Sequence, residues 1–270
     1  MTRIGLNGAT LPGRDLITKI RAAAGAGFDA YEPRVPELLA FDTPDGRREV
    51  VQAMADGGMS WLPLNALEGV FASTDGGADA AAESVFPLAA RFGVPHVIAV
   101  PAPPDPGIDR SAALAALERL VRRAAADGVK LLYELIGFPH HAFPTLDLAA
   151  DLAGDAGLPL VLDTFHLALS ETSLAAIERL DAARIGLVHL SDAIVGDRPV
   201  TAITDAERVL PDEGDLPLEG LLAAIGRSGF AGPISVEVFH PKYADEDTER
   251  VAERALQEAR RLTTTWEESR

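Results

Sequence analysis

Apolar residues along the chain recur with two different spacings, and the spacing switches between them eight times. Short, largely apolar runs lie near 3–7, 28–32, 59–65, 95–101, 129–135, 158–163, 184–190 and 233–239. Their length and pattern are those of β-strands. Between them, near 14–26, 36–56, 78–92, 111–127, 145–155, 172–181, 216–228 and 248–263, apolar residues return every three or four positions, as in helices with one buried face. In the helix at 111–127, Leu114, Leu117, Val121 and Ala124 form the stripe, Ser111 is the expected cap and Gly128 the stop. Val251, Ala255, Ala259 and Leu262 repeat the spacing in the last helix.

Strands alternating with single helices demand a parallel sheet. Eight such units in 270 residues match the size of a closed (β/α)8 TIM barrel, so the expected fold is α/β with one barrel domain over 1–270. An open doubly wound sheet is the rival. It lacks its glycine-rich phosphate loop, since Asn7-Gly8-Ala9-Thr10-Leu11-Pro12 after the first strand has neither the dinucleotide nor the P-loop spacing. Segments that follow strands are long, at 66–77, 101–110, 136–144 and 191–215, whereas those that precede strands are mostly short. Barrel enzymes carry their chemistry on the strand-to-helix side, and the stretch from Asp192 to Leu216 is long enough to fold over a site there.

Composition narrows the partners. With 47% apolar and 24% charged residues the chain can build a core of ordinary size. A formal charge of −17, from 41 acidic and 24 basic residues, repels polyphosphate backbones and argues against a nucleic-acid partner. No cysteine is present, which removes disulfides, thiolate ligands and thiol nucleophiles and suits a reducing compartment. Met-Thr-Arg-Ile-Gly-Leu-Asn-Gly has no signal-peptide pattern and no apolar run reaches membrane-spanning length, so a soluble, cytoplasmic protein without membrane partners is expected.

Four residues able to bind metal, Glu134, Asp163, His189 and Glu237, sit at or just past the ends of the last four strand runs. A parallel barrel gathers the C-terminal ends of its strands on one face, so these four can converge without any local motif. Three carboxylates and one imidazole make a hard-to-borderline donor set; Mn²⁺ is the first choice, Mg²⁺, Co²⁺ and Zn²⁺ are alternatives, and copper is disfavoured.

The segments Tyr133-Glu134-Leu135, Leu162-Asp163-Thr164-Phe165-His166, Val188-His189-Leu190-Ser191-Asp192 and Ser235-Val236-Glu237-Val238 resemble the xylose-isomerase-like barrel superfamily of sugar isomerases and epimerases. Ketose 3-epimerases, hydroxypyruvate isomerases, inosose dehydratases and 3-dehydroshikimate dehydratases belong to it, with endonuclease IV as a distant member. The likeness is strongest over 129–264 and only general in the first hundred residues, where Tyr31-Glu32-Pro33-Arg34 is the nearest match. It implies that Glu134 and Glu237 bind the metal and also act as an acid–base pair, while Asp163 and His189 complete the coordination. A metal chelating a ketone and its neighbouring hydroxyl would stabilise the enediolate formed when a glutamate removes the carbon-bound proton. The resemblance also places His166 beside the substrate oxygens, puts an arginine in the loop after His189, either Arg198 or Arg208, against substrate, and matches Glu32 and Arg34 to an acidic-x-Arg pattern that contacts it. One departure is visible: relatives often carry Pro-Gly-x-Gly after the seventh strand, whereas this chain reads Pro211-Asp212-Glu213-Gly214-Asp215.

The leading expectation is therefore a divalent-metal-dependent isomerase or epimerase acting on a small keto sugar, cyclitol or hydroxy-keto acid. A dehydratase of the inosose or 3-dehydroshikimate type is next, with an endonuclease IV-like hydrolase and a non-catalytic sugar-binding barrel behind it. Arg34, Arg198, Arg208 and Lys242 are scattered in sequence and form no obvious phosphate site, which favours an unphosphorylated substrate. A homodimer is the expected assembly.

Overall fold

A computed structural model of the chain describes residues 2–72, 77–103 and 108–268; parts of the long connections expected at 66–77 and 101–110 lie outside them. It is a TIM barrel. Strands β1 (Ile4–Asn7), β2 (Ala30–Glu32), β3, β4 (His96–Pro101), β5 (Lys130–Glu134), β6 (Leu160–Asp163), β7 (Ile185–Leu190) and β8 (Ile234–Val236) run parallel. Strand β3 is made of two segments, Ser60–Trp61 and Leu64–Val70, because Pro63 between them has no N–H to give to a ladder. Its first segment pairs with β2, its second with β4, and an isolated bridge from Arg34 to Asn65 joins the two neighbours. Pairing of β1 with both β2 and β8 completes the ring.

The helices are α1 (Leu16–Ala26), α2 (Val35–Ala40), α3 (Pro44–Asp56), α4 (Gly77–Phe92), α5 (Arg110–Ala126), α6 (Leu146–Asp155), α7 (Thr164–Leu169), α8 (Leu174–Glu178), α9 (Leu218–Arg227) and α10 (Thr248–Glu268). The helix expected over 36–56 is broken in two. The Thr43 hydroxyl accepts from Gly46 N at 3.0 Å and Pro44 opens the new helix, a local start signal that overrides the continuous apolar period. Helix α5 is capped by Asp109, which accepts from Ala112 N at 2.8 Å, and not by Ser111. Gly128 does end it, at φ +75°.

Apolar side chains pack in two zones. The larger lies between the strands and the surrounding helices and includes Leu6, Tyr133, Leu162, Val188 and Val236. The smaller fills the inside of the ring with Ala30, Leu62, Ala66, Ile98, Leu132, Val161 and Leu187. Gly5 and Gly186 make room for it, since a Cβ on either would strike Leu62 or Leu132. Strand side chains alternate between faces, so two steps further along the inward positions become Glu32, Glu134, Asp163 and His189. The interior thus changes from apolar to ionisable at one end of the barrel.

Candidate metal centre

Each inward polar residue is the second after an inward neighbour on its own strand: Glu32 after Ala30, Glu134 after Leu132, Asp163 after Val161, His189 after Leu187, Asn7 after Gly5 and Glu237 after Ser235. Register then fixes their neighbours, with Asp163 beside His189 and Asn7 beside Glu32. One donor atom from each of Glu134, Asp163, His189 and Glu237 lies within 4.8 Å of the others, and all four residues are buried.

His189 is held by carboxylates at both nitrogens. Its Nε2 lies 3.0 and 3.1 Å from the two oxygens of Glu32, while Nδ1 lies 3.2 Å from Glu134 Oε1 and 3.2 Å from Glu237 Oε2. Because a carboxylate only accepts, Nε2 carries a proton toward Glu32, and Nδ1 is the nitrogen that faces the carboxylates of Glu134 and Glu237. Asp163 divides its oxygens. Oδ1 accepts from Phe165 N at 2.7 Å and starts α7, while Oδ2 accepts from Arg208 Nη1 at 2.7 Å.

The electrostatics are those of a cation site. Burial, reinforced by Glu237 and Asp163, pushes Glu134 up to about 7 against the pull of His189. Burial likewise raises Asp163, with Arg208 only partly offsetting it. Burial acts upward on Glu237 as well, but His189 and Arg208 outweigh it and hold that carboxyl at about 2. Burial opposes charge on His189, yet Glu237, Glu32 and Glu134 keep it protonated well above its usual range. Crowded acid groups that take up protons for want of positive charge, around an inward-facing imidazole, fit a divalent cation held by Glu134, Asp163, His189 and Glu237.

Beside this cluster opens a cavity of about 350 Å³, lined among others by Glu134, Glu237, His166, Arg208, Arg34 and Phe239. Arg208 reaches it from the long loop after β7. A two-residue antiparallel ladder, Asp192–Ala193 with Arg208–Val209, folds that loop back over the barrel. The guanidinium is buried, 4.4 Å from the centre of the Phe165 ring, and also meets Glu237 Oε2 at 3.3 Å and Asp205 Oδ1 at 2.9 Å. Its Nη2 donates to His166 Nε2 at 3.2 Å. Burial and this neighbouring charge keep His166 neutral, so its proton sits on Nδ1, a buried atom without a protein partner among the described residues.

The other residues expected at the site, Arg34, Glu32 and Arg198, fall in different places. Arg34 lines the cavity, stacked 5.3 Å from the centre of Phe239. Glu32 does not line it and stands, fully buried, behind His189. Arg198 is exposed outside the cavity, bound to Glu207 at 2.8 Å and to the Ile194 and Val195 carbonyls. His141 lines the wall, and its Nδ1 donates to Pro101 O at 3.1 Å. Asn7 and Asn65, which bind Glu32 and Glu237, lie in no motif that marks them in the sequence. The one available signal was their place on the ligand-bearing rim.

A family model described as a xylose isomerase-like TIM barrel matches residues 20–262. An inosose isomerase of Halalkalibacterium halodurans is 29% identical over 249 residues, covering 87% of this chain and 86% of that protein. A 3-dehydroshikimate dehydratase of Pseudomonas aeruginosa is 31% identical over 229 residues, covering 82% of this chain but only 36% of that longer protein. Among solved structures, that of the IOLI protein with a bound zinc atom has a TM-score of 0.88 at 24% identity, covering 98% of this chain and 99% of that one. A D-allulose 3-epimerase from Methylomonas sp. has a TM-score of 0.72 at 19% identity, covering 97% and 98%. Both structural likenesses concern the fold.

Proposed function

Because the chain belongs to the xylose isomerase-like TIM barrel family, we propose that it is a divalent-metal-dependent isomerase or epimerase of a small keto sugar, cyclitol or hydroxy-keto acid. The observation that carries this reading is the convergence of Glu134, Asp163, His189 and Glu237 beside a cavity of about 350 Å³ that Glu134 and Glu237 line, a volume within the range of small-molecule sites. Three carboxylates and an imidazole suit Mn²⁺ first; the zinc bound by the IOLI protein makes Zn²⁺ the main alternative. When bound, the ion polarises a ketone and the adjacent hydroxyl and so acidifies the proton on the carbon between them.

The chain's residues do the rest. Glu134 Oε1 has His189 Nδ1 as its hydrogen-bonding neighbour and is less crowded by donors than Glu237, so it is suited to take the carbon-bound proton and return it. Glu237 is surrounded by donors and stays ionised. That asymmetry favours transfer by one carboxylate to the neighbouring carbon, which is isomerisation, over a two-carboxylate exchange between faces, which is epimerisation. Arg208 and Arg34, which line the cavity, offer donors to substrate oxygens.

Dehydration is the second reading, favoured by the 31% identity to a 3-dehydroshikimate dehydratase. It needs an acid for the departing hydroxyl. Burial keeps both His166 and His141 neutral, which makes them weak candidates. The test is to load the protein with Mn²⁺ and incubate it with inososes, ketoses and 3-dehydroshikimate in heavy water. An isomeric product with partial deuterium incorporation supports isomerisation, inversion at one carbon supports epimerisation, and loss of water moves dehydration ahead. Glu134→Gln is expected to lower turnover by about 10²–10⁴-fold. Intact turnover and metal content in both Glu134→Gln and Glu237→Gln would sink the mechanism.

A further inference from the structure

Four hydrogen bonds at the rim come from two neutral side chains. Asn7 Nδ2 donates to Glu32 Oε1 at 2.8 Å and to Glu237 Oε1 at 3.0 Å, and Asn65 Nδ2 donates to the same two oxygens at 3.0 and 2.8 Å. An amide nitrogen has two hydrogens, so each asparagine gives both to this pair of buried carboxylates. We infer that Asn7 and Asn65 are positioning residues that together decide which oxygen of Glu237 and, through Glu32, which nitrogen of His189 face the metal site. The inference rests on the metal-site reading above.

The geometry leaves each partner one orientation. Asn7 Oδ1 accepts from Ala9 N at 2.8 Å, which turns its Nδ2 toward the carboxylates. With Oε1 taken by two amides, Glu237 presents Oε2, the atom 3.2 Å from His189 Nδ1 and 3.3 Å from Arg208 Nη1. Glu32, fixed through the same amides, receives the Nε2–H of His189, and that imidazole is thereby committed to presenting Nδ1. The asparagines come from β1 and β3 and the carboxylates from the ends of β2 and β8, so the four strands are tied together beside the cluster. Neutral donors suit this place. A lysine or arginine would relieve the same repulsion but add a charge competing with a bound cation, whereas an amide separates the carboxylates and leaves the site's negative charge intact.

The test compares the parent with Asn7→Ala and Asn65→Ala in calorimetric affinity for Mn²⁺ alone, in kcat and KM for a keto-inositol, and in thermal midpoint. Affinity for Mn²⁺ is expected to fall by about 10–100-fold in each variant, with the kinetic loss in kcat more than in KM. Asn65→Ser, which keeps a short donor, is expected to recover part of the affinity. Should fully buried Asn7 not tolerate alanine, the two Asn65 variants carry the test, because that side chain borders the cavity. A lower midpoint with unchanged Mn²⁺ affinity and kcat in the folded protein overturns the inference and leaves the asparagines a purely structural role. Mn²⁺ affinity needs no substrate, so a protein inert toward every keto-inositol still tests the positioning role, while a parent that binds no divalent ion overturns both readings.

Discussion

Glu134 and His189 store protons in the folded, metal-free protein that they would release on unfolding. Glu134 holds its proton up to about 7, against 4.5 for an ordinary glutamate, so between those values the folded state binds more protons and loses stability as pH rises. His189 has the same sign: its contribution is present below the usual imidazole value and is lost as pH climbs through its raised folded value. A cation takes the place of these protons. The increase in thermal midpoint on adding Mn²⁺ is therefore expected to grow from about pH 5.5 to about pH 8, with proton release visible by calorimetry in buffers of different ionisation enthalpy. A midpoint gain that stays flat with pH would contradict this charge balance. At this scale the sequence was partly legible. Ligand-type residues at strand ends stood out because few other roles call for them there. Asn7 belongs to no recognisable motif, since the stretch it opens lacks both phosphate-loop spacings, and only the register with Glu32 reveals its task.

Elements determined which members of ambiguous pairs reach the cavity. Arg198 and Arg208 are indistinguishable in sequence, but the short ladder with Asp192–Ala193 turns Arg208 inward, while the carbonyls of Ile194 and Val195 hold Arg198 outside. Asp192 anchors the return of this loop, accepting from Ala193 N, Gly214 N and Leu216 N at 2.8, 3.1 and 2.9 Å. The departure from Pro-Gly-x-Gly also has a local reading. Asp212, at the position of the first glycine, adopts φ +73°, where a side chain is strained. Its bond to Arg261 is a largely exposed ion pair and worth little. Asp212→Gly is expected to stabilise the protein by about 0.5–1 kcal/mol, after the greater freedom of glycine in the unfolded chain is counted, measured as a higher urea midpoint at unchanged slope. A lower midpoint would mean that the Arg261 contact matters more than the backbone. Helix α7 was missed for a similar local reason: Asp163 reads as a strand end, and its second role as a cap appears only in its bond to Phe165 N.

Across the molecule, alternation of strand and helix made the barrel legible, because the apolar period depends on the two packing zones and little else. The division of labour around the ring was less so. Glu134, Asp163, His189 and Glu237 belong to β5 through the end of β8, whereas Arg34, Glu68, Val100 and Ala102 bring β2 to β4 to the cavity that Glu134 and Glu237 line. Ala102→Leu is accordingly expected to raise KM, with Mn²⁺ affinity unchanged, by filling space on that wall. Asp163→Asn is expected to weaken Mn²⁺ binding by at least the ~10–100-fold typical of residues that only support a ligand. Equal effects of both substitutions on both measurements would deny the division. This half-and-half construction bears on descent. A lineage can alter the molecule it turns over by exchanging wall residues such as Val100 and Ala102 while inheriting Glu134, Asp163, His189, Glu237 and the asparagines that brace them, so kinship among the ligands says little about diet.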